Sequence, residues 1–201
     1  GYDRGQPIDR YYIENFLSQH KEDIHGRVLE IGDNTYTKKF GGTSVKRSDI
    51  LHAVKGNSSA TIVADIARAD NIPSNAFDCI ILTQTLQFVY DLPSAVRHLH
   101  RILKPSGILL ATVPGISQIS RYDMDRWGDF WRFTTQSAQR LFEKEFSTEN
   151  IEVEAYGNVL ITIALLHGLA AEELKPEHFE YQDPDYQVLI TVRAVKSKTD
   201  D

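Results

Sequence analysis

The stretch FDCIILTQTLQFVYDLPSAVRHLHRILKPSGILLATVP, Phe77 to Pro114, decides how this chain folds. It begins with a continuous apolar run, Phe77 to Thr83, of the kind a strand buried on both faces requires. From Leu92 to Leu103 the period changes, and Leu92, Val96, Leu99, Ile102 and Leu103 fall on one side of a helix. Pro105-Ser106-Gly107 stops that helix, and Gly107 to Val113 begins a second buried strand. Strand, helix, strand, with both strands apolar throughout, is one unit of a parallel sheet covered on both faces.

The pattern extends outward in both directions. Upstream, Arg27 to Ile31 is a short apolar strand, Ser44 to Leu51 a weaker strand, and Ala60 to Ala64 a β-branched run that closes on Asp65. Before them, Pro7 to His20 carries the helical stripe Ile8, Tyr12, Ile13, Phe16 and Leu17, with Asp9 as the expected N-cap. Downstream, Thr135 to Phe146 is an amphipathic helix capped by Thr134 or Thr135. Two strand-like runs, Ile151 to Tyr156 and Tyr186 to Val195, flank an apolar, helical Val159 to Leu174. The expected fold is a doubly wound α/β sheet, mostly parallel, with an antiparallel closing strand and helices on both faces. Residues 1–25 form a helical cap, 26–113 a ligand-binding core, 114–135 a substrate loop and 136–201 the closing helices and strands of one domain.

Composition narrows the function classes. The chain has 201 residues, 41% hydrophobic and 25% charged, enough for a sizeable core. Its 28 acidic and 22 basic residues give a net charge of -6, which argues against a surface built for nucleic acid or anionic membrane. The one cysteine, Cys79, lies in an apolar run and reads as a core residue. Seven histidines show no metal-ligand spacing, so no metal is expected. Apolar runs fall short of the ~18 residues of a membrane span. No charged-then-apolar leader is seen, which points to the cytoplasm. The chain starts at Gly1 and its only methionine is Met124, which reads as a processed, tagged or excised piece and leaves room for a larger parent.

The segment VLEIGDNTYTKKFGG, Val28 to Gly42, carries the ligand chemistry. Glu30 at a strand tip and Asp49 about twenty residues later have the spacing of a dinucleotide-type fingerprint, whose second acid takes ribose hydroxyls. Gly32 supplies the first tight turn. Asn34 stands where a second glycine belongs, and asparagine is the non-glycine residue that best tolerates positive φ. Tyr36, at the third position, is too bulky for a diphosphate to lie flat against the backbone. Singly, Glu30 and Asp49 read equally well as solvated strand-end acids and Asp65 as a helix cap. Together they stand at the carboxyl ends of three successive strands, the edge where open α/β sheets bind ligands.

The order VLEIG … SD … VADI … FDCIILTQTLQFVYD … RILKPSGILLATVPG resembles the class I S-adenosylmethionine-dependent methyltransferases of type 11, from about Gly26 to Phe146. The resemblance implies a Rossmann-like sheet and S-adenosylmethionine as cofactor. By position, it puts Glu30, Gly32 and Asn34 at the methionine end, Asp49 on the ribose, Asp65 and Ile66 on the adenine, and Thr83 and Gln84 beside the sulfonium. Asn34 for glycine, and Ser106 for the glycine usual in K-P-G-G, are departures. Domains of this type often accompany glycan assembly, so a glycan is the first acceptor to consider.

PGISQISRYDMDRWGDFWRFTT, Pro114 to Thr135, leaves the ligand edge and overhangs it. Its aromatics, carboxylates and guanidinium groups suit a hydroxyl-bearing substrate: Tyr122, Trp127 and Arg132 as substrate contacts, Asp123 and Asp125 as candidate general bases. Trp131 and Phe133 read better as anchors, and His100, on a helix, as structural. Arg10, Tyr11 and Tyr12 of the first helix are placed to close over the cofactor. The expected activity is O-methyl transfer to a small-molecule or glycan acceptor, with no nucleic-acid partner, from a homodimer or a part of a larger protein. Two alternatives share the residues: an NAD-type oxidoreductase, and a non-catalytic module that keeps the fold.

Overall fold

A computed structural model describes residues 2–198. The elements, in chain order, are α1 (Ile8–Gln19), β1 (Gly26–Ile31), α2 (Thr35–Phe40), β2 (Val45–His52), β3 (Ile62–Val63) and β4 (Phe77–Thr83). There follow α3 (Leu92–Ile102), β5 (Leu103–Pro114), α4 (Arg121–Trp127), α5 (Thr135–Phe142), β6 (Ile151–Tyr156), α6 (Val159–Leu166), α7 (Pro176–Glu180) and β7 (Leu189–Val195).

The strands form one sheet in the order β3-β2-β1-β4-β5-β7-β6. β1 pairs parallel with both β2 and β4, and β4 with β5. β7 runs antiparallel to both β5 and β6. This is the Rossmann-like, mostly parallel sheet the apolar runs demand. Strand order reverses between β1 and β4, so a crevice opens beyond their carboxyl ends.

Both faces are covered. On one, α3 contributes Val96, Leu99 and Ile102 and α5 contributes Leu141 and Phe142 to a core with Phe77, Ile80, Leu82 and Leu109. On the other, the α1 stripe Ile8, Tyr12, Ile13, Phe16 and Leu17 packs with Ile161, Phe179, Cys79 and Ile81. Each large apolar side chain fully buried in these cores stabilises the sheet by roughly 1.5–3 kcal/mol, before chain entropy is subtracted.

Several boundaries differ from the expected ones. Pro7, not Asp9, caps α1; Asp9 lies in the first turn, where its charge faces the positive end of the helix dipole. β3 keeps only two of the five residues in ATIVA. The Pro105-Ser106-Gly107 break falls inside β5 as a bulge, because pairing starts at Phe77 with Leu103 and then shifts register. Ser106 adopts φ 65 there. Gly107 is required: a Cβ would lie 2.8 Å from the Lys104 carbonyl oxygen. α6 stops at Leu166, and a turn at Gly168, φ 71, separates it from the short α7. Thr134 caps α5, in a reciprocal pair with Ser137.

Candidate active site

Two cavities open at the carboxyl edge. The first, about 750 Å³, lies over β1, β2 and β4 and is lined by Gly32, His52, Asp65, Ile66, Thr83 and Gln84, with Trp127 and Phe130 from the loop above. The second, about 730 Å³, is lined by Arg10, Asp33, Gln87, Pro114, Asp129 and Arg132. Gln84, Phe88 and Asp123 line both.

Gly32 is built for close approach. It sits at φ 86, with nothing within 4 Å of where a Cβ would be. Its N–H donates to the Leu51 carbonyl (2.9 Å) and its carbonyl accepts from Asn57 (2.8 Å). Asp65 lines the same cavity and accepts from the Ala67 N–H at 3.0 Å, so it is a cap and a cavity group at once. Ile66 beside it is buried. Gln84 holds its side chain at the junction from a left-handed backbone, φ 45.

Three of the expected cofactor residues turn away. Glu30 is 3% exposed, and its carboxylate accepts from the Tyr36 and Thr37 N–H groups and the Thr37 hydroxyl, capping α2 rather than lining a cavity. Burial raises its pKa against those hydrogen bonds. Asn34 has φ -130, so it does not supply a positive-φ turn; it opens α2, and its amide donates to Ser48 Oγ at 3.1 Å. Asp49 lies in the middle of β2, opposite Leu29, and lines neither cavity. It accepts from Arg27 (2.7 Å), Arg47 (3.1 Å) and Thr61 (3.0 Å). From β2, Leu51 and His52 line the cavity; His52 is the polar one, and its ring meets Trp127 edge-on at 5.7 Å. Ile31 pairs with Leu51, so His52, the last residue of β2, extends past the tip of β1.

The substrate loop folds into α4, which the charged sequence RYDMDRW conceals. Ser120 caps it, and the Ser120 hydroxyl donates to Asp123 at 2.6 Å. Asp123 points into the junction of the two cavities. Asp125 does not; it is exposed and pairs with Arg121 at 3.3 Å. Tyr122 is also outward, 67% exposed, with the Arg126 guanidinium 3.5 Å from its ring centroid. Arg132 reaches the second cavity but is tied to Asp129, whose carboxylate also accepts from the Ser120 N–H. Hydrogen bonding to Arg132 holds the Asp129 carboxyl below its ordinary pKa, against burial.

The anchors hold the loop down. Trp131 donates to the Val89 carbonyl at 3.0 Å, and Phe133 is 7% exposed in the core. His100 packs edge-on against Phe146, away from both cavities. Of the first helix, Arg10 faces the second cavity, while Tyr11 and Tyr12 pack against Phe179, tilted and edge-on respectively. Sequence reading missed His52, Gln87 and Phe88. The register of β1 against β2 finds the first; QTLQF carries no pattern that finds the others.

The sheet order and the antiparallel closing pair are those of the class I S-adenosylmethionine-dependent methyltransferase fold, the fold of a methyltransferase from Archaeoglobus fulgidus (TM-score 0.61, 12% identity, covering 93% of this chain and 94% of that one). The phosphoethanolamine N-methyltransferase 2 of Haemonchus contortus, solved with S-adenosylhomocysteine, is similar at TM-score 0.61 and 16% identity, over 96% of this chain and 54% of that one. A family profile described as a methyltransferase domain, type 11, matches residues 34–111. S-adenosylmethionine is the cofactor of that class.

Among curated proteins, a segment of 74 residues is 34% identical to human arginine-hydroxylase NDUFAF5, covering 34% of this chain and 21% of that protein. Another of 102 residues is 29% identical to the ubiquinone/menaquinone biosynthesis C-methyltransferase UbiE of Vibrio cholerae, covering 42% of this chain and 39% of that protein. The chain thus spans between about a fifth and two fifths of these relatives. Among the described residues, no helix is long and apolar enough to cross a membrane.

Proposed function

We propose that this chain transfers a methyl group from S-adenosylmethionine to a hydroxyl of a small polar or sugar-like acceptor. One observation carries the reading: two cavities of similar size share a wall of Gln84, Phe88 and Asp123. A two-substrate displacement needs such a junction, because positioning two reactants in line supplies several kcal/mol of the barrier. The residues of the first cavity fit a nucleoside: Gly32 gives close backbone approach, Asp65 offers a carboxylate to an amino group, and His52 stands where Asp49 was expected to face the ribose. S-adenosylmethionine supplies a methyl group made electrophilic by its sulfonium.

The chain's own work is to bind, orient and move one proton. Asp123 accepts the proton of the attacking hydroxyl, aided by the Ser120 hydroxyl that holds its other oxygen environment fixed. Trp127 and Phe130 exclude water from above. Arg10 and Arg132 favour an acceptor bearing oxygen acceptors, as a sugar or polyol does.

Calorimetry with S-adenosylhomocysteine and with NAD tests the cofactor, and transfer of labelled methyl from S-adenosylmethionine to sugar acceptors tests the reaction. S-adenosylhomocysteine binding with no methyl transfer to any acceptor supports a second reading. That reading, a different chemistry on this fold, is favoured by the hydroxylase among the relatives. Preferential NAD binding removes both.

A further inference from the structure

Gln87 is 5% exposed and lines the second cavity, yet its side-chain oxygen has no hydrogen-bond partner. The amide orientation follows from chemistry. Its nitrogen lies 2.9 Å from the Gln84 carbonyl oxygen, which can only accept, so the NH2 group must face Gln84. The nitrogen also reaches the Gln84 side-chain oxygen at 3.3 Å. The backbone is pinned as well, because the Gln87 carbonyl accepts from the Phe130 N–H at 2.8 Å. A flip would set the Gln87 oxygen against two acceptors and satisfy neither it nor them.

Buried acceptors are nearly always paired, and one left over in the wall of a cavity points to a donor that arrives with a ligand. Gln84, held by Gln87, is itself strained at φ 45 and lines both cavities. The two glutamines form a unit: one end fixes the junction, the other is unsatisfied. We infer that Gln87 is a specificity-determining residue, whose carboxamide oxygen accepts a hydrogen bond from an O–H or N–H of the molecule in the second cavity, and whose NH2 group positions Gln84. This rests on the proposed methyltransferase reading only in calling that molecule the methyl acceptor. The residue selects for a donor-bearing acceptor, a polyol, sugar or amine, over one already alkylated at that position.

The test uses wild-type protein labelled with [15N]glutamine and saturated with S-adenosylhomocysteine. Glycerol is titrated while the Gln87 side-chain amide resonances are followed, against glycerol's tri-O-methyl ether, which has the same oxygens and no donor. Glycerol should shift the Gln87 resonances and the ether should not. Gln87→Leu should weaken glycerol binding about tenfold, the worth of one hydrogen bond, and leave the ether unaffected. Equal shifts from the two probes, or none from glycerol, overturn the proposal, and both are read without any variant. Failure of S-adenosylhomocysteine to bind sinks the methyltransferase reading instead and leaves the donor-against-ether comparison standing on the free protein.

Discussion

Arg27 and Asp49 meet at 2.7 Å between β1 and β2, with the Asp49 side chain 1% exposed and the guanidinium stacked over Phe77 at 4.6 Å. The pair ties two strands together. Asp49→Ala should therefore cost about 1–3 kcal/mol of stability, a figure held down because Arg27 is 29% exposed and can rehydrate. Affinity of the folded variant for S-adenosylhomocysteine should stay within about twofold of the parent. Burial alone would raise the Asp49 carboxyl, but hydrogen bonds from Arg27, Arg47 and Thr61 outweigh it and lower its pKa. A lowered folded-state pKa gives stability that is present above the unfolded value near ~4 and lost as pH falls through the folded one. The gap in melting temperature between parent and Asp49→Ala should accordingly shrink in acid.

His52 should behave in the opposite way. Its ring lines the first cavity and touches Trp127, and no buried ion pair depends on it. His52→Ala should leave the melting temperature within a degree or two while weakening S-adenosylhomocysteine several-fold, by loss of a contact worth about 1 kcal/mol. An unchanged dissociation constant removes His52 from the cofactor site.

Glu30 supports the loop from beneath. Glu30→Gln keeps one acceptor oxygen for the Thr37 N–H and hydroxyl but sets an NH2 group against the Tyr36 N–H, so unfolding free energy should drop by about 1–3 kcal/mol. Its folded-state pKa is raised, mainly by burial. That contribution is full below the unfolded pKa and fades as pH rises through the folded one. Denaturant melts across this range should thus show the gap to Glu30→Gln closing with rising pH, opposite to Asp49.

The loop glycine and its neighbour should also separate. Gly32→Ala forces a left-handed conformation costing about 1–2 kcal/mol and places a methyl group in the cavity, so S-adenosylhomocysteine binding should fall sharply. Asn34→Gly relieves nothing, because Asn34 is already at φ -130. It should lose up to about 1 kcal/mol through chain entropy and the Ser48 contact. A gain in stability for Asn34→Gly would show that the turn is strained after all.

The strands buried on both faces were legible because burial itself writes the apolar run: FDCIILT is β4 residue for residue. Function-bearing positions were harder, since spacing counts residues and a cavity counts strand ends. β2 runs on to His52, three residues beyond the acid that spacing singled out. Asn34 misled because the helix that begins at Thr35 is only six residues long, with just the Tyr36–Phe40 pair for an apolar face and no acidic first turn to announce it. α4 was invisible for a related reason: it carries charges on all sides and buries no residue, so only the Ser120 cap marks it. Gln87 gives no sequence signal at all, being one glutamine among others until the fold leaves its oxygen without a donor.

Asp123 and Asp125, two residues apart on α4 and so on opposite sides of it, give the clearest division. Asp125 is exposed, and its pair with Arg121 joins side chains 63% and 72% exposed, a contact worth little. Asp125→Asn should change neither stability nor transfer. Asp123 lines both cavities and holds the Ser120 hydroxyl, which an asparagine oxygen can still accept. Asp123→Asn should therefore keep the helix cap, the melting temperature and S-adenosylhomocysteine affinity. What it loses is the base: methyl transfer should fall by roughly a hundredfold or more. Two measurements on each variant decide the matter, single-turnover transfer from S-adenosylmethionine and calorimetry with S-adenosylhomocysteine. If Asp123→Asn transfers as fast as the parent, Asp123 is only the acid of a helix cap, and the acceptor hydroxyl loses its proton elsewhere. If it melts early and binds cofactor poorly as well, the loop and not the chemistry was its task.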